Sequence, residues 1–325
     1  MGLHILVRKY GGPEVLEPES FEPGRPGPRE VLVRQEAIGV NYIDTYFRTG
    51  LYPAPGGLPF VPGNEGAGVV EAVGEGVTEV VPGQRVAYAA GPGSYTTHRI
   101  IAARLLVPLP DDIDTATAAA MMLKGMTAQY LLRQTYVVRP GDTILFHAAA
   151  GGVGLIACQW AKHLGATVIG TVGSPEKAKL ARAHGCDHVI LYDREDVVAR
   201  VKEITKGAGV PVVYDGVGKS TFLTSLDCLR PRGLLVSFGN ASGPVEGVNL
   251  GILAAKGSLY VTRPTLMTYT ATREQLLACA ADLFDVVRKG AVRIEIHQRY
   301  PLAQAADAHR ALEGRRTTGS TLLLP

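Results

Sequence analysis

The sequence predicts an α/β protein of two domains: a mostly-β, barrel-like domain, then a doubly wound domain with a parallel sheet. Three observations predict it. The chain has 325 residues, more than one hydrophobic core usually serves. Up to about residue 120, short apolar runs recur between turn signals, and from Thr143 to about Ser258 strands alternate with helices. Between these regimes stands one stretch, Thr143-Ile144-Leu145-Phe146-His147-Ala148-Ala149-Ala150-Gly151-Gly152-Val153-Gly154, that reads as a buried strand, a turn of small residues and the start of a helix.

In the first domain the apolar runs are 3–7, 31–40, 67–73, 85–89 and 95–101. Gly11-Gly12-Pro13, Pro26-Gly27-Pro28, Gly56-Gly57 and Val81-Pro82-Gly83 separate them, which is the spacing of a compact β barrel. Residues 41–47 read as a short helical turn after a strand. Residues 116–120 and 121–136 read as helices, with Met121, Met122 and Met126 as core packing.

The second domain begins with a strand over 143–147 and a helix over 153–164. Strands at 167–172, 189–192, 210–215 and 233–238 alternate with helices after Ser174, at 196–205 and at 220–229. Ser174 can cap its helix, Pro175 suits the first turn and Gly185 the position past its end. Residues 258–261 make a last, edge strand, and 274–288 a long amphipathic helix. The short elements at 294–296, 303–312 and 320–323 resemble the first domain and return the tail to it. The expected division is 1–120 completed by 290–325, with 121–289 as the nucleotide domain.

The formal charge of +3 is small for this length and no basic run occurs, so a nucleic-acid partner is not expected. No stretch is long enough to span a membrane and no signal-like segment opens the chain, which points to the cytoplasm. Cys158, Cys186, Cys228 and Cys279 are scattered without a C-x-x-C pair, as buried thiols in a reducing compartment would be.

The small-residue turn suits a pyrophosphate, which needs close backbone approach and helix N–H groups aimed at it. Written against G-x-G-x-x-G, the glycine positions fall on Ala149, Gly151 and Gly154, with Gly152 as a further point of approach. An ordinary βα turn is the alternative. NAD-selective domains place an acid near the end of the second strand for the ribose 2′-OH. Here that strand ends Thr171-Val172-Gly173-Ser174-Pro175-Glu176-Lys177, with no acid at its tip. Gly173, Ser174 and Lys177 suit a 2′-phosphate, favouring NADPH, although a plain cap with a solvated lysine fits the same residues.

Three motifs carry a resemblance over essentially the whole chain. Gly63-Asn64-Glu65-Gly66-Ala67-Gly68-Val69-Val70 resembles the G-H-E-x-x-G-x-V segment of the medium-chain dehydrogenase/reductase superfamily. Residues 148–154 resemble the A-x-x-G-x-x-G of its zinc-free reductases. Ser237-Phe238-Gly239-Asn240-Ala241-Ser242-Gly243 is similar to the F-G-N-x-S-G of the NADPH:quinone oxidoreductases, the zeta-crystallin-like branch. The resemblance implies a GroES-like domain and a Rossmann domain. It also implies departures from the zinc alcohol dehydrogenases: Asn41 stands where a Cys opens the segment, Asn64 where a His stands, and the structural-zinc cysteines have no counterpart. No metal is expected.

The activity implied is zinc-independent reduction of a quinone by hydride or single-electron transfer from NADPH, in a homodimer joined through the edge strands. By resemblance Asn41, Asp44, Thr45, Thr127 and Tyr130 lie near the nicotinamide end, Asp44 being equally a helix cap. Gly151, Gly152 and Val153 meet the pyrophosphate, and Gly173, Ser174, Lys177 and Tyr192 the adenosine ribose and its phosphate. Val217, Phe238, Gly239 and Asn240 meet the middle and nicotinamide end of the cofactor, with Arg263 and Arg315 as further contacts or ordinary surface charges. Asn41, Tyr46 and Tyr52 are candidates for the quinone pocket, against plain packing for the tyrosines. No residue declares itself a general acid: His147 reads as structural, and His98, His163 and His184 have no obvious partners. An NADPH-dependent alkenal or enoyl reductase and a non-catalytic NADPH-binding protein are the rival readings.

Overall fold

The computed structural model describes residues 1–325. In chain order it runs β1 (Gly2–Leu6), β2 (Glu17–Phe21), β3 (Glu30–Val40), α1 (Tyr42–Thr49), β4 (Glu65–Val73), β5 (Arg85–Ala89), β6 (His98–Ala102), β7 (Val107–Pro108) and α2 (Thr115–Tyr130). Then come β8 (Thr143–Phe146), α3 (Gly152–His163), β9 (Thr167–Val172), α4 (Pro175–Ala183), β10 (His188–Leu191), α5 (Val197–Ile204), β11 (Val210–Asp215), α6 (Phe222–Cys228) and β12 (Leu229–Ser237). The chain closes with α7 (Gly251–Ala255), β13 (Tyr260–Thr262), α8 (Leu266–Tyr269), α9 (Arg273–Arg288), β14 (Ile296–Pro301), α10 (Ala305–Glu313) and β15 (Ser320–Leu324).

Two compact units result. One comprises residues 1–126, 270–284 and 294–325, the other 127–269 and 285–293. Residues 270–284, the leading part of α9 included, thus fall in the first unit, where the sequence had assigned them to the nucleotide domain. In the first unit a seven-stranded sheet has the order β14-β15-β3-β4-β5-β7, with β6 pairing β3, and β1 pairs separately with β2. The expected return of the tail is concrete: β15 is antiparallel to β3, Leu322 opposite Gly39, and β14 runs parallel to β15. The strand β2 was not foreseen. Its Glu-Pro-Glu-Ser-Phe pattern is almost wholly exposed and lacks the apolar alternation that signals a strand.

The two helices expected at 116–136 are one helix ending in a π turn over Leu131–Thr135. Asp114 accepts from the Thr117 N–H at 2.7 Å and starts it, and nothing between Ala120 and Met121 can break it. Gly125 survives inside it because a Cβ there would lie 2.5 Å from the Leu283 side chain. The three methionines, Met121, Met122 and Met126, are fully buried as expected.

The second unit holds a six-stranded parallel sheet, order β10-β9-β8-β11-β12-β13. Leu145, Ile169, Ile190, Val213 and Leu235 project from it into one buried cluster. The chain reverses its direction of strand addition between β8 and β11. That is the switch point where the carboxyl ends of parallel strands leave room for a ligand. β13 lies at the sheet edge, close to the expected position.

Candidate active site

The end of β8 builds the small-residue turn. Ala148 adopts φ +53°, a left-handed conformation that costs a non-glycine residue about 1–2 kcal/mol. The turn closes with the Gly151 N–H donating to the Ala148 carbonyl at 2.9 Å, and the Ala149 N–H donates to Thr171 O at 3.1 Å. Gly151 then caps α3 with extended backbone and no side chain over the helix N-terminus. The glycines divide by task. A Cβ at Gly154 would lie 2.4 Å from Ala148 O and 2.7 Å from the Ala149 carbonyl, so this glycine lets helix and turn touch. A Cβ at Gly151 would meet only Ala148 O, at 3.2 Å. The open approach for an anion is therefore at Gly151, with Gly152 and Val153 half-buried beside it.

Beneath this turn lies a buried polar network that the sequence did not reveal. The Ser225 hydroxyl donates to Asp215 Oδ2 at 2.8 Å, so it accepts from His147 Nε2–H at 3.1 Å. His147 Nδ1 therefore accepts from the Thr171 hydroxyl at 2.9 Å. Burial holds the His147 imidazole below its ordinary pKa, with the Asp215 charge opposing, and the ring is neutral and structural, as expected. Asp215, at the end of β11, also accepts from the Val217 and Gly218 N–H groups at 2.8 and 3.0 Å and from the Thr221 hydroxyl. It thereby shapes the loop that carries Val217. No short-range signal points to this role, because Asp215, Thr221 and Ser225 act together only once β11 and α6 have packed.

The neighbouring loop is pressed close. Phe238 packs on Phe146 with ring centroids 5.7 Å apart, and a Cβ at Gly239 would fall 2.3 Å from Gly216 O. Asn240 follows at the half-buried start of the next turn. Arg263 donates to Ser237 O at 2.8 Å, so it ties down the end of β12 and is more than a surface charge. At the end of β9, Ser174 Oγ caps α4 by accepting the Lys177 N–H at 3.3 Å. Over Gly173 lies the Tyr192 hydroxyl, 2.4 Å from where a Cβ would sit, and the Tyr192 ring is 47% exposed. Gly173, Ser174, Lys177 and Tyr192 thus form one group. Thr127 and Tyr130 are buried in the last turns of α2, the Tyr130 ring stacked on Tyr269 at 4.5 Å.

In the first unit, α1 and its surroundings hold a separate polar cluster. Asp44 Oδ2 accepts from the Asn41 N–H at 2.8 Å and caps the helix, and Gly50 at φ +78° ends it. The same oxygen accepts from the Tyr95 hydroxyl at 2.9 Å. Behind Tyr95 a chain of bonds runs outward. Arg48 grips Glu313 with two bonds of 2.7 and 2.9 Å and donates to His309 Nδ1 at 2.9 Å. That donation leaves the His309 proton on Nε2, which donates to Tyr95 at 2.9 Å. Burial, helped by the Arg48 charge, pushes His309 down to about 3, so the imidazole stays neutral. Asp44 is pushed up to about 7: burial dominates, the Asn41 and Tyr95 bonds oppose it, and Glu65 adds repulsion. Its Oδ1 is buried without a partner.

Asn41 Nδ2 donates to Glu65 Oε1 at 2.8 Å, so its amide is engaged within the protein. Thr45 is buried and donates to Tyr42 O at 2.7 Å. The two tyrosines proposed for a pocket wall form an aromatic cluster. Tyr46 is 8% exposed and meets Tyr52 edge-on at 5.3 Å, while Tyr52 is half-buried and also meets Phe47. Arg315 is exposed in the turn after α10, at φ +56°. His98, expected to stand alone, has partners: its Nδ1 pairs with the Thr97 hydroxyl at 3.0 Å and its Nε2 with Glu71 at 3.5 Å. His184 Nδ1 meets Leu180 O at 2.8 Å. No three His, Cys, Asp or Glu side chains converge to hold a metal ion, and the four cysteines are buried and form no disulfide.

Comparison with known proteins gives this geometry a family. Residues 27–111 match the alcohol dehydrogenase GroES-like domain, and residues 152–282 match the zinc-binding dehydrogenase family. A quinone oxidoreductase of Pseudomonas aeruginosa is 64% identical over the whole of both chains. This chain belongs to the quinone oxidoreductases. It is a zinc-free member of the medium-chain dehydrogenase/reductase superfamily, and an oxidoreductase. Quinone oxidoreductase of Escherichia coli, solved in complex with NADPH, superposes with a TM-score of 0.98 at 52% identity, covering 99% of this chain and all of that one. A 2-haloacrylate reductase of a Burkholderia species is 47% identical over all of this chain and 99% of its own length.

Proposed function

We propose that this oxidoreductase reduces quinones with NADPH and without a metal. One observation carries the reading: the open glycine turn at α3 and the acid-free β9–α4 turn with Lys177 follow adjacent parallel strands, β8 and β9, beside the sheet's switch point. The E. coli relative bound to NADPH supports the choice of cofactor. In this reading the Gly151, Gly152 and Val153 backbone receives the pyrophosphate. Ser174, Lys177 and Tyr192, around Gly173, receive the adenosine ribose and its 2′-phosphate. Val217, Phe238, Gly239, Asn240, Thr127 and Tyr130 serve the rest of the cofactor, with Arg263 holding β12 in place and Arg315 a further contact. Asn41, Asp44 and Thr45 serve its nicotinamide end, and Tyr46 and Tyr52 line the acceptor's place.

When bound, NADPH supplies the hydride. The chain's own work is to bind and orient the two reactants and to keep water away, which suffices for an acceptor as electron-poor as a quinone. The edge strand β13 carries exposed Tyr260 and Val261, with exposed Met267 just after it. We assign this edge to a homodimer, and a sedimentation mass of one chain would sink that assignment. Buried thiols without a disulfide suit a reducing compartment, and we place the enzyme in the cytoplasm.

A second reading has a specific observation behind it. The 2-haloacrylate reductase relative acts on a conjugated C=C acceptor, so an activated alkene belongs in the test. NADPH oxidation is measured with 1,4-benzoquinone, 9,10-phenanthrenequinone, 2-chloroacrylate and a simple ketone, each with and without chelator. Turnover of the quinones that is indifferent to chelator is expected. Turnover of 2-chloroacrylate alone moves the assignment to the alkene reductase, and loss of activity with chelator refutes the metal-free reading.

A further inference from the structure

The reading above gives the acceptor oxygen no protein partner, and a buried lysine supplies one. Lys124 lies on α2 between Met122 and Met126, and only 5% of it is exposed. Its ammonium bonds to one oxygen, Glu65 Oε1. Glu65 is fully buried and fully engaged. Oε1 also accepts from Asn41 Nδ2 at 2.8 Å, and Oε2 accepts from the Leu123 N–H at 2.7 Å. Gly39 makes room for it, since a Cβ there would lie 2.2 Å from Oε1. The carboxylate is thus held by three donors, two from α2 and one from Asn41 at the start of α1, and cannot turn to serve Lys124 further.

An ammonium has three N–H donors. Two of those of Lys124 have no acceptor in the chain. Leaving charged donors unmatched in a desolvated site costs several kcal/mol. A buried ion pair is also weak evidence of a purely stabilising role, because apolar residues of the same size often serve stability as well. Nearby, Asp44 Oδ1 is buried and lacks a partner, and the charges of both Glu65 and Lys124 act on that carboxyl. The cluster is therefore short of a polar partner at two separate atoms.

We propose that the Lys124 ammonium, clamped by Glu65, donates to the carbonyl oxygen of the acceptor and stabilises the negative charge that forms there. This rests on the quinone reductase reading. A quinone that takes a hydride becomes the hydroquinone monoanion while NADPH becomes NADP+, and a proton from solvent completes the hydroquinone. Lys124 keeps its protons throughout. Its charge meets an oxygen that is neutral in the substrate and anionic after hydride addition, the differential interaction that lowers a barrier. Glu65 is a positioning residue: it aims the ammonium.

The test binds 4-nitrophenol, a planar phenol whose ionisation is read from its absorbance, without turnover. In the wild type the bound phenol should ionise at least about one pH unit below the free phenol, a tenfold preference for the phenolate. In Lys124→Gln that shift should vanish, and kcat with 1,4-benzoquinone should fall about 100-fold while NADPH affinity stays unchanged. Because Lys124→Gln leaves Glu65 buried and unpaired, a Glu65→Gln/Lys124→Met double variant, which removes both charges, is measured beside it. A folded double variant that keeps the wild-type kcat overturns the proposal. So does a wild type that binds 4-nitrophenol without the shift or does not bind it. A Lys124-dependent shift in a wild type that reduces no quinone leaves the oxyanion site standing and fails the reductase reading instead.

Discussion

The glycines of the nucleotide turn offer a prediction that separates folding from binding. In Gly154→Ala the added methyl meets backbone on every side, 2.4 Å from Ala148 O and 2.7 Å from both carbonyl atoms of Ala149. Ordinary contact needs roughly 1 Å more, so α3 must move off the turn, an overpacking cost of about 1–3 kcal/mol. In Gly151→Ala the methyl meets one atom at 3.2 Å, and the residue is already extended, with φ −80°. Its stability loss should stay within about 1 kcal/mol, the scale of an altered cap. In the proposed binding mode the same methyl would meet the pyrophosphate, and NADPH binding should weaken at least about tenfold, or 1.4 kcal/mol. Urea unfolding and fluorescence titration of NADPH measure both quantities in each variant. A Gly154→Ala protein as stable as wild type, or a Gly151→Ala protein with unchanged affinity, would refute the division of roles.

Two further predictions concern charge. Lys177→Ala should raise the dissociation constant for NADPH about tenfold or more, as the loss of a charged hydrogen bond does, and leave NADH unchanged. Parallel titrations with the two cofactors check it, and equal losses for both would remove Lys177 from the 2′-phosphate site. Asp44 titrates near 7 in the fold and at 3.8 as a free side chain, so below pH 4 the folded and unfolded chains hold its proton equally. Its contribution to stability then falls as pH rises, by roughly 4 kcal/mol in all, and levels off above pH 7. Asp44→Asn should flatten the dependence of unfolding free energy on pH between 4 and 7. An unchanged slope in urea unfolding across that range would show that Asp44 is ionised in the fold.

Much of the fold could be read from local chemistry. The Ser174 cap, Pro175 and the small residues after β8 carry their signals in a few neighbouring residues, and the elements formed where those signals stood. The strand β2 escaped because its residues are polar and exposed, and the break expected inside α2 was absent because no residue there opposes a helix. The glycine positions could likewise be counted in the sequence, yet packing decided that Gly154 serves the fold while Gly151 is left open.

The buried networks were not legible in the same way. Lys124 gave a hint, a lone charge in an apolar helix, but its partner Glu65 is 59 residues away. Asp44, Tyr95, His309, Arg48 and Glu313 come from both ends of the chain and meet only because β15 returns to β3. The Asp215, Ser225 and His147 contacts need β8 and β11 side by side at the switch point. By itself, then, the sequence determined most of the elements in their order and the small-residue turn after β8, since each rests on residue types at short spacing. Which polar groups are buried, which atom each one meets and which are left without a partner was decided by tertiary structure, because burial and hydrogen bonding depend on neighbours that only folding brings together.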